Sequence, residues 1–325
     1  MGSTRKQELA TWLSDKGYDS SSLSILSADA SFRQYYRVNK NNISYAVMDC
    51  PPEDESLDTF LKITDKLQQA KLNVPEIFDC DSDKGFLVIT DFGDDLYSKK
   101  LNDETVYCLY TDALEAIVKM QTKVDCTGLK DFDSFYEDEN NLFLDWFLKK
   151  HLKIELDSTS SIQINTEFNK INNILKSIPK TFVHRDYHSR NLLITDLNNP
   201  GIIDYQDAVM GPVTYDLVSL LKDCYVTWND GLVEDMLESF FTRMKSDTIN
   251  NISDFRYWFE ITGLQRHIKA IGIFSRLNYR DGKSSYLQDI PRTYAYMDKV
   301  LNKYKELSTL NEIFSNLEIG SKISQ

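Results

Sequence analysis

The sequence predicts an α+β fold in two lobes: a small lobe built on an antiparallel sheet over residues 1–92, and a larger, mainly helical lobe over residues 93–325. Three observations carry this. Short runs of β-branched and aromatic residues follow one another closely before residue 92, as strands of a meander do. The polar run Asp91-Phe-Gly-Asp-Asp95 then interrupts the chain after a buried strand, and it is the expected hinge. Beyond it, apolar residues recur at helical spacing over long stretches.

Taken in order, Lys6 to Leu13 reads as a short helix, and the segments Leu23–Leu26, Tyr35–Val38 and Ser44–Met48 read as strands. Residues at 57, 60, 61, 64 and 67, apolar but for Thr64, recur at helical spacing and mark a helix between Ser56 and Lys71 that Asn73-Val74-Pro75 ends. Two more strands are expected at Glu76–Phe78 and Phe86–Thr90. In the larger lobe, Val106, Leu109, Tyr110, Ala113, Leu114 and Ile117 form one apolar stripe. Leu217, Leu220, Leu221 and Cys224 form a second, and Trp258, Ile261, Leu264, Ile268 and Ile271 a third. These stripes are read as core faces. The serine-rich stretch Asp157–Ser161 is expected to be a solvated loop.

Residues 184–204 carry the chemistry. Within His184-Arg-Asp-Tyr-His-Ser-Arg-Asn191 an Asp precedes an Asn by five positions, and Asp204 follows. In phosphoryl-transfer enzymes with this spacing the Asp takes the proton of the acceptor hydroxyl and the Asn holds Mg²⁺. Leu192–Ile194 and Gly201–Ile203 read as two short buried strands joined by a turn through Asn198, Asn199 and Pro200, so Asn191 and Asp204 are expected to converge. One carboxylate and one amide oxygen suit Mg²⁺, which takes most of its remaining ligands from phosphates and water. A competing zinc set of His184, Asp186 and His188 leaves Asn191 and Asp204 unexplained.

Composition narrows the classes. With 42% hydrophobic and 12% aromatic residues in 325, the chain is ordinary for a globular enzyme. A formal charge of −13 argues against nucleic acid or an anionic membrane as partner. The cysteines, at 50, 80, 108, 126 and 224, are scattered and show no C-x-x-C pair, which speaks for free thiols in a reducing cytoplasm. The amino terminus has no apolar leader run, Gly2 is not read as a lipidation site, and no stretch approaches the length of a membrane span.

With these residues in hand, the chain resembles the aminoglycoside-phosphotransferase and protein-kinase-like superfamily. Within it, the segments Ser27-Ala-Asp-Ala-Ser-Phe-Arg33, Val47-Met-Asp-Cys-Pro-Pro52, 184–191, Ile203-Asp-Tyr-Gln-Asp-Ala-Val209, Gly211-Pro-Val-Thr-Tyr-Asp216 and Gln265–Phe274 resemble the bacterial anomeric N-acetylmuramate/N-acetylglucosamine kinases. The likeness spans nearly the whole chain. It implies a protein-kinase-like fold, ATP and Mg²⁺ as cofactors, and phosphorylation of the C1 hydroxyl of a small-molecule amino sugar in cell-wall recycling, by a cytoplasmic monomer.

By position the resemblance makes Asp186 the base, Asn191 and Asp204 the metal ligands, and Asp216 the brace of the catalytic loop. The nucleotide is expected at Ser31, Arg33, Thr90, Asp91, Phe92 and Gly93, and the sugar at His188, Arg190, Asp207 and Arg276. Asp207 reads either as a second metal or sugar contact or as a cap of the turn into Gly211-Pro212. The G-x-G-x-x-G loop and the V-A-I-K lysine of protein kinases are missing. Arg33 or Arg37 is expected to supply the positive charge, and both also read as solvent-facing strand arginines. Arg266 and His267 are read as surface charge of a helix. The alternatives are an aminoglycoside or other small-alcohol kinase of the same fold, and a nucleotide-binding pseudokinase.

Overall fold

A computed structural model describes residues 2–27, 33–52 and 57–323. In chain order its elements are α1 (Gly2–Asp15), β1 (Asp19–Ser27), β2 (Gln34–Lys40), β3 (Ile43–Asp49), α2 (Leu57–Gln69), β4 (Ile77–Asp81), β5 (Phe86–Thr90), α3 (Tyr97–Lys100), α4 (Val106–Lys123) and α5 (Tyr136–Leu142). A π-helical stretch (Phe143–His151) precedes α6 (Ser158–Ser177). Then follow β6 (Lys180–Val183), β7 (Leu192–Leu193), β8 (Gly201–Ile202), β9 (Val209–Pro212), α7 (Tyr215–Leu221), α8 (Asp230–Met244) and α9 (Ile252–Asp281). A 3-10 turn (Ser284–Asp289) leads to α10 (Ile290–Lys303), α11 (Ser308–Asn316) and α12 (Ile319–Ile323). The chain divides into two compact units that do not follow a single cut. One is Met1–Lys100 with Asn191–Asp207; the other is Leu101–Arg190 with Ala208–Gln325.

The first unit holds a five-stranded antiparallel sheet in the order β1-β2-β3-β5-β4. β2 and β3 meet through a two-residue turn whose Asn41 and Asn42 both take positive φ, 52° and 62°, the geometry that suits the twist of a hairpin and that Asn tolerates. α1 lays Leu9, Trp12 and Leu13 on Tyr36, Val38, Val47, Phe86 and Val88. The segment 191–207 joins this unit through specific contacts. Tyr205 stacks on Phe60 at 5.2 Å, and its hydroxyl lies 2.9 Å from that of Thr64 in α2. The Ile202 N–H donates to the Asn73 carbonyl at 2.8 Å, and Leu193 bridges to Leu96.

The second unit is helical apart from the β6–β9 pair. Its axis is α9, 30 residues long, in which every residue from Ile261 to Lys269 is buried. A helix buried all round is a core helix, and α5, the π-helical stretch, α6, α7 and α10 pack on it. Arg266 (6% exposed) and His267 (1%) are therefore interior residues, not the helix-surface charges that residue type alone suggests. Asp157 accepts the Ser160 N–H at 2.7 Å and caps α6, so the serine-rich stretch is mostly the first turn of a helix instead of a loop. Among the described residues, no helix is long and apolar enough to cross a membrane, and the cysteines at 50, 80, 108, 126 and 224 are free thiols, with Cys50 and Cys224 buried.

Gly272 is where α9 meets the start of the π-helical stretch most closely. A Cβ there would lie 2.6 Å from the backbone of Leu142 and Phe143, atoms that a rotamer change cannot move aside. Gly272→Ala is expected to destabilise the protein by about 1–3 kcal/mol through overpacking, despite the better helix propensity of alanine. Urea unfolding measures this, and a variant as stable as wild type would show that the two helices can separate without cost.

Candidate active site

In the second unit, the strand β6 ends at Val183 and the chain turns into the loop 184–190. A loop has no ladder to satisfy its amides, and two carboxylates take that place. Asp216, fully buried in the first turn of α7, accepts the His184 N–H at 2.8 Å and the Arg185 N–H at 3.1 Å. Arg185 sits at φ 76°, a conformation that needs such support. Burial pushes the Asp216 carboxyl up to about 7 against the pull of these two amides. Further on, Asp223 accepts both the N–H and the hydroxyl of Ser189, at 3.0 and 2.6 Å. Asp186 lies between the two anchors, and its own N–H donates to Nδ1 of His184 at 3.3 Å. That bond and the complete burial of His184 argue against the zinc set.

The surroundings of Asp186 are cationic. Burial alone would raise its carboxyl, but Lys269, His188, Arg185 and Arg266 outweigh burial and hold it down at about 2. Glu139 arranges two of these cations. It accepts Nη2 of Arg185 at 2.7 Å and Nε2 of Gln265 at 2.7 Å, and pairs with Nζ of Lys269 at 3.5 Å. Lys269 also donates to the Tyr215 hydroxyl at 3.3 Å. His188 is held below the ordinary imidazole range, first by burial, although Asp223 and Asp186 pull the other way. Arg190 is exposed, with its guanidinium 3.5 Å over the ring of Tyr225.

In the first unit, the β7–β8 hairpin brings Asn191 and Asp204 together. Asn191 donates to Asp204 Oδ2 at 3.2 Å, and its carbonyl accepts the Ile203 N–H at 3.1 Å. Gln206 holds the other carboxylate oxygen at 2.9 Å. Asp204 is exposed, at φ 65°. Among the described residues there is no group of three or more His, Cys, Asp or Glu that would cage an ion. One exposed carboxylate beside one amide oxygen is the sparse protein share that Mg²⁺ takes when phosphates and water complete its shell, so this donor set fits that ion.

The remaining sequence candidates are placed less uniformly. Ser31 lies outside the described residues. Arg33 is 4% exposed, so it is a buried residue and not a solvent-facing one. Arg37 is bound to Asp91 through Nε and Nη2, at 2.6 and 3.0 Å, and to Asp94 at 3.1 Å, so its charge is already matched by two carboxylates. Asp91 also accepts the Ser44 hydroxyl and, at 2.9 Å, the N–H of Gly93, which has φ 83°. Thr90 is tied to Glu76 by its N–H at 3.0 Å and its hydroxyl at 2.9 Å, and Phe92 packs where a Cβ on Gly201 would fall. Asp207 is exposed, and it and half-buried Arg276 make no hydrogen bond or ion pair among the described residues. Sequence reasoning missed Lys269, Asp223 and Glu139. The only signal was polar residues interrupting the apolar stripe of α9.

A small antiparallel-sheet unit, a larger helical unit, and an Asp loop followed by an Asn/Asp hairpin define a kinase-like phosphotransferase. The chain belongs to the phosphotransferase enzyme family, whose model matches residues 22–246, and it is a kinase. Curated relatives match it end to end. An N-acetylmuramate/N-acetylglucosamine kinase of Pseudomonas putida is 34% identical over 98% of both chains, and one of Pseudomonas aeruginosa is 36% identical over 91% of this chain and 88% of its own. Among solved structures, the ADP-bound aminoglycoside phosphotransferase APH(2'')-Ib aligns with a TM-score of 0.63 at 15% identity, covering 92% of this chain and 99% of its own. The choline kinase LicA of Streptococcus pneumoniae aligns at 0.65 and 12%, covering 91% and 100%. These likenesses show the fold.

The charge arrangement predicts a pH effect. The base expected at Asp186 must be ionised to accept a proton, and a pKa held down at about 2 keeps the carboxyl so throughout the physiological range. Lys269→Met removes a cation while burial remains, which raises the Asp186 pKa. The acid limb of kcat is expected to move to higher pH by about 1–3 units, while Lys269→Arg holds it in place. A limb that stays put in Lys269→Met would show that Lys269 does not set the charge state of Asp186.

Proposed function

We propose that this enzyme transfers the γ-phosphoryl group of ATP to the anomeric hydroxyl of N-acetylmuramate or N-acetylglucosamine, giving the sugar 1-phosphate for peptidoglycan recycling toward UDP-N-acetylmuramate. The observation that carries the reading is an ionised Asp186 on a loop pinned by two buried carboxylates, in a chain whose full-length relatives bear the name of that kinase. In the reaction the C1 hydroxyl hydrogen-bonds to Asp186, and its oxygen forms the new bond to phosphorus as the bond to the ADP oxygen breaks. The hydroxyl proton passes to the Asp186 carboxylate. Asn191 and Asp204 would hold Mg²⁺, which when bound neutralises charge on the phosphate oxygens. Asp216 and Asp223 keep the base in position and take no proton from substrate. Thr90 to Gly93 is the candidate for the adenine and Arg33 for a phosphate. The setting is the cytoplasm, as a monomer acting on a small molecule.

An aminoglycoside kinase is the second reading, since such enzymes share the fold. Polycationic acceptors need carboxylates around the base. Here the buried carboxylates near Asp186 are engaged, Asp216 and Asp223 with loop amides and Glu139 with Arg185 and Lys269, and the net influence on Asp186 comes from Lys269, Arg185 and Arg266, which favours a neutral or anionic sugar.

Turnover with ATP and Mg²⁺ against N-acetylmuramate, N-acetylglucosamine, glucose and kanamycin, with the product linkage read by phosphorus NMR, tests both readings. The expected product is a 1-phosphate of the N-acetylated sugars, and Asp186→Asn is expected to lower kcat by about 10²–10⁴-fold. Phosphorylation of kanamycin alone, or of a sugar hydroxyl other than C1, would overturn the proposal, as would ATP binding with no acceptor-dependent turnover.

A further inference from the structure

Beside the catalytic loop, the second unit carries polar groups that no element of the fold satisfies. Among the described residues, Nδ1 of His188 is buried without a hydrogen-bond partner, and so is Oδ2 of Asp289, a residue 5% exposed whose other oxygen is 3.2 Å from Arg292. A buried carboxylate oxygen left unpaired is costly, and such atoms mark ligand positions. Arg190 is exposed and has no carboxylate or carbonyl partner among the described residues. Its guanidinium is stacked instead, 3.5 Å from the ring centre of Tyr225 and 5.9 Å from that of Tyr286.

These groups share one aromatic wall. His188 meets Tyr225 edge-on at 5.2 Å, Tyr225 lies 6.2 Å from Phe274, and Phe274 stacks on Tyr286 at 5.7 Å. Asp289 is within electrostatic reach of Arg190. One carboxylate couples the wall to the catalytic loop: Asp223 holds Ser189 with Oδ2 and accepts the Tyr225 N–H on Oδ1 at 2.8 Å. Aromatic faces with a few convergent unsatisfied polar groups are how proteins bind small polar ligands of defined orientation.

Resting on the function proposed above, we infer that Arg190, Tyr225, Tyr286 and Asp289 form the subsite that recognises the sugar and discriminates between its two forms. A guanidinium held over a tyrosine ring by its face leaves its N–H groups available at the edge, the arrangement for a bidentate carboxylate. Arg190 therefore binds the lactyl carboxylate that N-acetylmuramate carries and N-acetylglucosamine lacks. Asp289 accepts from a donor that both sugars share, a ring hydroxyl or the acetamido N–H. Tyr286 and Asp289 come from the 3-10 turn 284–289, a segment to which neither motif nor spacing assigned a role.

The test is steady-state kinetics of wild type, Arg190→Met, Arg190→Lys and Asp289→Asn with both sugars. In Arg190→Met the ratio of kcat/KM for N-acetylmuramate to that for N-acetylglucosamine is expected to fall about 10- to 100-fold, carried by KM, as loss of a charge-assisted pair predicts. Arg190→Lys is expected to recover part of the ratio, and Asp289→Asn to raise KM for both sugars by a similar factor. A ratio measured within one variant is independent of how much of it is folded, so poor folding does not obscure the result. An unchanged ratio in Arg190→Met with kcat lowered equally for both sugars would overturn the inference and make Arg190 a positioning residue of the loop. Unchanged KM values in Asp289→Asn would overturn the role of Asp289. Wild type inactive on both sugars would overturn the proposed function itself, and this inference with it.

Discussion

The grip of Asp216 on the amides of His184 and Arg185 is the constraint on which the rest of the catalytic loop depends. The segment that carries Asp186, the proposed base, lies past the end of β6, so its amides have no ladder to hold them. Left loose it would serve poorly, because a base displaced by an ångström loses much of its effect. A buried carboxylate that accepts two consecutive N–H groups supplies the missing hold. It satisfies backbone donors that have no ladder and stabilises the positive φ at Arg185. Asp223 repeats the device at Ser189, so both ends of the loop are fixed by groups that lie outside it.

Two buried acids beside a third would repel, and the cations of the second unit answer that repulsion. Glu139 gathers Arg185, Gln265 and Lys269 around its two oxygens, which keeps positive charge near Asp186. The consequence for the proposed chemistry is a base of low proton affinity, at about 2. Such a carboxylate does not ionise a sugar hydroxyl in the ground state. It holds the hydroxyl by a hydrogen bond and receives the proton only as the oxygen–phosphorus bond forms, which suits a loose transition state in which the nucleophile needs little prior activation.

The sequence made the hairpin at 191–204 legible, because its two apolar runs and its turn residues are local signals; the register, Leu192↔Ile202 and Leu193↔Gly201, came only from the structure. The sheet strands and the α4 stripe were legible for the same reason. What could not be read was long-range. Arg266, His267 and Lys269 look like surface charges until α9 is known to be enclosed on every side. Arg37 looks like a free cation until Asp91 and Asp94 are seen beside it, more than fifty residues away in the chain. Nor does any local pattern say that residues 191–207 group with the first unit; the contacts of Tyr205 and Ile202 decide that. Asp186, Asn191 and Asp204 stood out as candidates because their spacing is local, whereas Glu139, Asp223 and Lys269 act only through packing.

The net charge shows how little a global quantity says about a site. A chain of formal charge −13 would by that figure attract polycations, the acceptors of aminoglycoside kinases. Exposed charges are screened over about 8 Å at physiological salt, whereas buried ones keep most of their strength. Lys269 and Arg266 are each less than a tenth exposed, and they act on Asp186 across protein and not across solvent. The field at the base is therefore set by a few interior cations, with the acidic exterior contributing mainly to solubility. On the function proposed above, that field would oppose an additional cation on the substrate and favour a carboxylate, so local charge, and not total charge, is what bears on the choice of acceptor.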